Sequence, residues 1–399
     1  MRGRTSRLPW LALTLMAAAV FAAITTEVLP VGLLPVISRD LATSESNVGL
    51  LVSAYAVVVA LGSIPLAAWL ARWPRRTVLC ALLTIYALSN AVMAVADDYW
   101  VALAARLLGG LAHAAFFGAV FGAAVSLAPV GSAGRAISFV GAGNVLALAL
   151  GVPLGTALGT ALSWRWVFVG AALLMAVLAV LALLVLPPSQ LAPAHTEQTP
   201  VLTAVRSRPI ALVAAMTALL TFGHFTTYTY ITPLLRHAGI NGDRVSLVLL
   251  GYGLAGIIGL ALSSRVVDRR PQIGLRCAII LDSTSLVALA ILPSVTPTVI
   301  WTVLWGLSFG ALPTLVQAVA LRAAPGAPDA APAVVNSMFN VGIAGGALLG
   351  AREVAAAALP VMALTGAVLV AGSLILLRAA GRPTRPADPT GPERTSTAS

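Results

Sequence analysis

The chain has 399 residues, of which 59% are hydrophobic and only 9% charged, with a formal net charge of +11. That composition lies far from globular averages and excludes both a disordered chain and a nucleic-acid-binding reading of the basic balance. All 24 Lys+Arg positions are arginine, so the charge has to be read by position.

Apolar stretches of about 20 residues or more, enough to cross a bilayer, fall near 9–37, 47–70, 77–96, 100–127, 135–161, 165–186, 209–235, 244–264, 273–293, 297–321, 332–351 and 357–378. The fold class predicted is all-α, a polytopic membrane protein of twelve helices. The first stretch follows Arg2, Arg4 and Arg7 in the manner of a signal peptide, but its apolar run continues past Glu27 to Pro35, the length of a full span. In the turns, 18 arginines fall on one side, five on the other (Arg39, Arg165, Arg236, Arg244, Arg352), and Arg106 lies inside a span. Positive-inside bias then predicts cytoplasmic termini. The polar segment 187–208 divides the spans six and six, which predicts a bundle over 1–186, a linker, a bundle over 209–378 and a disordered tail over 379–399.

The halves carry matching features. Gly151, Gly155 and Gly159 are spaced four apart in span 5, as are Gly342, Gly346 and Gly350 in span 11, and such spacing lets helix backbones approach closely. The turn with Arg72, Arg75 and Arg76 is matched by Asp268, Arg269 and Arg270, and the proline-rich end of span 1 by Thr232, Pro233, Leu234 and Leu235. Internal symmetry of this kind marks transporters whose repeats rock around a central site. Pro153, inside the span 5 glycine series, predicts a bend there.

Glu27, Arg106 and Asp282 are ionisable residues well inside spans. A charge at the bilayer centre costs at least about 2.5–3.5 kcal/mol, so such groups are functional candidates by default. Counting from the span ends at 1.5 Å per residue, Glu27 and Arg106 differ in depth by only about 6 Å, close enough to pair. A carboxylate there is a natural proton carrier. Asp282, a further candidate for proton coupling, has Arg276 or a polar neighbour on another helix as prospective partner. His113, His224, Tyr228, Tyr230, Asn336 and Asn340, together with Gln317 and Thr232, are candidates for the lining of a substrate cavity, and neutral groups of this kind suit an uncharged small molecule. Trp164 and Trp166 read as interface anchors. Cys80 and Cys277 form no CxxC pair and read as small buried residues. No metal-ligand spacing occurs. The GxGxxG string at Gly251, Gly253 and Gly256 and the GxSxG string at Gly306, Ser308 and Gly310 lie inside spans, where neither a dinucleotide fingerprint nor a nucleophile elbow can form.

Thr26-Glu27 followed by Gly32-Leu33-Leu34-Pro35, residues 51–55 (LVSAY), residues 106–118 (RLLGGLAHAAFFG), residues 151–159 (GVPLGTALG) with Trp164-Arg165-Trp166, and residues 336–350 carry a resemblance over nearly the whole chain. The chain resembles the major facilitator superfamily, and within it the twelve-span drug:proton antiporters near the bacterial arabinose-efflux-permease and chloramphenicol-efflux group. The resemblance implies a monomeric transporter in the inner membrane, not an enzyme, that exports a small, largely apolar drug or metabolite with protons as coupling ion and no other cofactor. It implies that Arg106 and Glu27 serve proton coupling, that the glycine-proline series of span 5 marks export, and that Arg72, Arg75, Arg76, Asp268 and Arg269 belong to gating loops. The first of those loops lacks the family's aspartate. Sugar or metabolite efflux, proton-coupled uptake and a non-transporting membrane sensor are the alternative readings.

Overall fold

The computed structural model describes residues 9–70, 72–129, 132–187, 208–267, 269–323 and 330–380, and these are helices joined by short turns. The linker between the halves, the tail and Asp268 lie outside the described residues. In the first half the helices are α1 (Trp10–Asp40), α2 (Glu45–Leu70), α3 (Arg75–Ala94), α4 (Tyr99–Leu127), α5 (Ala133–Leu146), α6 (Val152–Leu158) and α7 (Trp164–Val185). The second half has α8 (Arg208–Tyr228), α9 (Ile231–His237), α10 (Asp243–Val266), α11 (Pro271–Ile291), α12 (Val295–Ala323), α13 (Ala330–Ala355) and α14 (Leu359–Ala380).

Eleven helical runs are long and apolar enough to cross a membrane, and one of them, Arg135–Val185, has 51 residues. That run leaves helical geometry at Ser163, which is extended at φ −173° and ψ 144° and whose side chain accepts the amide of Arg165 to start α7. It therefore supplies two crossings, and the count among the described residues is twelve. The expected bend at Pro153 takes a particular form: wide π turns at Ala147–Gly151 and Gly159–Ser163 bracket the short α6. A proline without an N–H and with a ring that crowds the preceding turn is a sufficient cause of the first.

Within the first half α2 packs along α4, α3 along α4 and α7, and α1 along α5; within the second, α10 packs along α12, α8 along α13 and α14, and α11 along α12 and α14. The halves meet along two seams, α2 against α13 and the α5–α6 region against α10. The glycine series explain how tightly the helices inside a half pack. A side-chain carbon at Gly151, Gly155 or Gly159 would collide with Thr25, Leu29 or Leu33 of α1, and one at Gly342 or Gly346 with Thr221 or the Phe222 carbonyl of α8.

At the Asp40 end, Asp40 accepts from the indole N–H of Trp164 at 2.9 Å and lies 3.4 Å from the Arg165 guanidinium, which also donates to the Ala96 carbonyl at 2.7 Å. Trp164 is thus buried as a hydrogen-bond donor rather than placed as an interface anchor, while Trp166 is exposed. Cys277 is also exposed, unlike Cys80. Four bonds join the halves at this same end. Arg236 meets Glu45 at 3.0 Å, Ser46 donates to the Ala351 carbonyl at 2.7 Å, the Tyr230 hydroxyl lies 3.4 Å from the Ser46 carbonyl, and Thr232 donates to the Val31 carbonyl at 2.9 Å.

Gly346→Leu is expected to force α8 and α13 apart at a cost of about 1–3 kcal/mol, the range for overpacked cores. Thermal unfolding in detergent checks it. Gly141, with open space beside it, is the control: Gly141→Ala should change little.

Candidate functional site

The site begins with α1. Helical carbonyls accept from the amide four residues on, and positions 30 and 35 are prolines, which have no amide hydrogen. Pro30 therefore leaves the Thr26 carbonyl free, and Pro35 leaves that of Val31 free. Each is taken by a side chain from another helix. Arg106, only 2% exposed, donates to the Thr26 carbonyl at 2.9 Å and to that of Glu27 at 2.7 Å. Thr232 donates to Val31 from the other half. The Arg106 guanidinium also lies 4.2 Å from the centre of the Tyr55 ring.

The expected Glu27–Arg106 side-chain pair is thus corrected. Arg106 grips the backbone of α1, and no ion pair joins the two side chains among the described residues. The Glu27 carboxylate is left on a cavity wall, with Oε2 3.6 Å from Nε2 of His113, whose Nδ1 lies 2.9 Å from the Tyr55 hydroxyl.

That cavity, about 310 Å³, lies between the halves. Phe117, Phe121, Phe225, Phe309 and Phe339 give it aromatic walls, with Ile24, Val28, Val31, Val52, Val335 and Ile343 between them. Tyr228, Asn144, Gln317, Asn336 and Asn340 add neutral polar groups. The Gln317 and Asn340 side-chain carbonyl oxygens have no partner, so both can accept from a bound molecule. The inter-half bonds close the cavity at the Asp40 end, and it reaches toward the opposite end of the bundle, where Asn336 is exposed. Arg72, Arg75, Arg76 and Arg269 lie at that end. A larger groove of about 730 Å³ beside Trp100 and Leu107 runs between α2 and α4, but no carboxylate, histidine or arginine lines it.

His113, Tyr228, Asn336 and Asn340 reach the cavity as expected. Tyr230 does not: α8 ends at Tyr228, the chain turns at Thr229, and the Tyr230 ring lies against Gly49 in the closed end. His224 and Asp282 are likewise off the wall. Asp282, fully buried, has His224 Nδ1 at 3.0 Å and the Ser308 hydroxyl at 3.1 Å from Oδ2, and the Trp305 indole donor at 3.2 Å from Oδ1 and 3.1 Å from His224 Nδ1. Its partner is the polar neighbour rather than Arg276, which is exposed. Tyr55, Tyr252, Trp305 and the aromatic walls were not singled out from sequence. A signal for the walls exists, because His113, Phe117 and Phe121 recur at helical spacing and so do Phe309, Pro313 and Gln317.

Fold and site together define a polytopic membrane protein with a central cavity between two six-helix repeats. The chain belongs to the Major Facilitator Superfamily, whose family model matches residues 15–351; it is a membrane-embedded transporter acting on a small molecule. It is 33% identical over 352 residues to a chloramphenicol efflux pump of Mycobacterium tuberculosis, covering 85% of this chain and 84% of the relative. It is 32% identical over 379 residues to a probable sugar efflux transporter of Mannheimia succiniciproducens, covering 94% of each. Its fold matches that of a bacterial homologue of the human lysosomal transporter Spinster, solved inward-facing and unoccupied, with a TM-score of 0.66 over 93% of this chain and 95% of that one at 17% identity.

Arg106→Ala removes two charge-assisted bonds and is expected to cost about 1.5–3 kcal/mol per bond at most. In a Pro30→Ala background the helix supplies its own donor to Thr26, so the same substitution should cost less. Equal costs in a double-mutant cycle of thermal unfolding would show that the proline does not set up the contact.

Proposed function

We propose that this chain exports a small, largely apolar molecule across the cytoplasmic membrane in exchange for protons, by alternating access to the central cavity. The observation that carries this reading is the Glu27 carboxylate on the wall of an otherwise neutral, aromatic-lined cavity, with Arg106 bonded to the backbone beside it. The arginine-rich turns favour placing the open end and both termini in the cytoplasm. In that orientation Glu27 releases its proton into the cavity from the inside, and Arg106 offsets the charge left behind. Substrate binds among the phenylalanines. Closure of the Arg75 end, with loss of the four bonds at the Asp40 end, exposes the cavity outside, where the substrate leaves and Glu27 is reprotonated. One charge moved through 100 mV supplies about 2.3 kcal/mol, enough for a gradient of roughly 40-fold. The monomer, with protons as its coupling ion, is a sufficient unit.

Efflux of a sugar is the second reading, favoured by the amides of Asn144, Gln317, Asn336 and Asn340 around the cavity and by the name of the Mannheimia relative. Both readings are tested in inverted vesicles holding the reconstituted protein. With the lumen acidified, phenicols, dyes and sugars are added and proton release is followed. Glu27→Gln, which keeps the backbone contacts of Arg106, is expected to abolish compound-driven release. Release that persists in this variant would remove Glu27 from the coupling step, and accumulation in the opposite direction would indicate uptake. For any substrate bearing a hydroxyl or amide hydrogen, Asn340→Leu is expected to raise the apparent KM up to about tenfold, the worth of one hydrogen bond.

A further inference from the structure

The buried carboxylate of the second half has no use in the exchange just described. It is built like the first. Tyr55 and Tyr252 each present their backbone carbonyl to a glycine of the facing helix, Gly110 and Gly306 respectively. Each tyrosine hydroxyl then meets a histidine, Tyr55 with His113 at 2.9 Å and Tyr252 with His224 Nε2 at 3.2 Å, and each histidine faces a carboxylate with its other nitrogen. Carboxylate, imidazole and phenol therefore stand in line in both halves.

The charges of the two lines differ. Beside Glu27 lies Arg106, so an ionised Glu27 with neutral His113 leaves the first half balanced. Among the described residues, Asp282 has no such cation beside it. α12 offers it Trp305 and Ser308, α8 offers His224, and α10 offers Tyr252. α14 packs beside α11 with a backbone contact from Ser283, and its basic Arg378 lies in its last turn. Glu353 of α13 accepts from Thr365 instead. On α11 itself Arg276 is exposed. Asp282 with neutral His224 therefore carries one net negative charge in the bilayer interior, where an unbalanced charge is costly. One added proton neutralises it.

The hydrogen bonds show where that proton can go. The indole of Trp305 is a donor only and lies 3.2 Å from Oδ1 and 3.1 Å from His224 Nδ1; when it gives its hydrogen to Oδ1, the 3.0 Å contact between Nδ1 and Oδ2 is made by a hydrogen on Nδ1. The free choice is at Nε2. Without the proton Nε2 accepts from the Tyr252 hydroxyl; with it, Nε2 donates and the hydroxyl turns to accept. The imidazole is covered on the cavity side by Phe309, stacked at 4.0 Å and 16°, and by Tyr228. Both rings line the cavity.

We propose that Asp282 and His224 form a second proton-binding site, held behind Phe309 and Tyr228 and exchanging with the cavity when those rings move. The site goes beyond the exchange reaction assigned to Glu27 and stands or falls without it, because the test needs no substrate. The chain has 4 histidines, so ¹⁵N-histidine NMR of the full-length protein in nanodiscs is tractable, with His224→Gln supplying the assignment. Across about pH 4 to 10 the Nε2 signal of His224 is expected to pass from bare to protonated as pH falls. In Asp282→Asn the passage should move to lower pH, since the carboxylate that steadies the imidazolium is gone. Phe309→Ala should speed the exchange after a pH jump. Infrared spectra across the same range read the carboxyl directly, and an acid band that disappears in Asp282→Asn also supports the pair. Silence of both imidazole and carboxyl over the whole range would show a fixed hydrogen-bonded network and overturn the site, as would a His224 titration unchanged by Asp282→Asn.

Discussion

A proline inside a helix removes one amide hydrogen, and with it the partner of the carbonyl four residues earlier. In a bilayer that carbonyl cannot turn to water, so some other donor has to find it. On α1 this happens twice, and both donors are side chains of other helices. Pro30 frees Thr26 for Arg106, which fixes α1 against α4 and turns the Glu27 carboxylate onto the cavity wall. Pro35 frees Val31 for Thr232, which ties the first half to the second at the closed end. The cavity's acidic wall and the seal above it both follow from missing hydrogens on one helix.

The two halves share a plan and differ in charge. Each places a tyrosine carbonyl against a glycine, a histidine beside the tyrosine and a carboxylate beside the histidine. Among the described residues only the first half adds a guanidinium, and only the second stacks aromatic rings face to face on its histidine. Glu27 is consequently open to water and substrate, while Asp282 is enclosed by hydrogen-bond donors. A duplicated framework thus surrounds its two carboxylates differently through a few side chains.

Much of this was legible in the chain. The twelve crossings follow from apolar length, the repeat from glycine spacing, and the three ionisable residues from their cost in lipid. Their partners were not legible, because depth along a helix gives height and not direction. Arg106 was placed at the right level for Glu27, yet it binds the backbone; the proline four residues after Thr26 was the overlooked sign of a carbonyl in need of a donor. Tyr230 was grouped with Tyr228, but the helix ends between them and sends its ring to the seal. Trp164 was read as an anchor because its neighbour Asp40 is 124 residues away. The pairing of Asp282 with His224 likewise joins residues 58 apart.

Helix α13 is held to α8 through its glycines on one face and borders the other half on its opposite side. At 26 residues and 1.5 Å per residue it is a rod of about 39 Å. Turned about its middle by some ten degrees, such a rod carries each end roughly 3 Å. At one end that distance separates Ala351 from Ser46, and at the other it brings Asn336 inward by the same amount. In the exchange proposed above, such a rod would act as a lever whose two ends do not open together, so that its stiffness would serve the exclusive access the exchange requires.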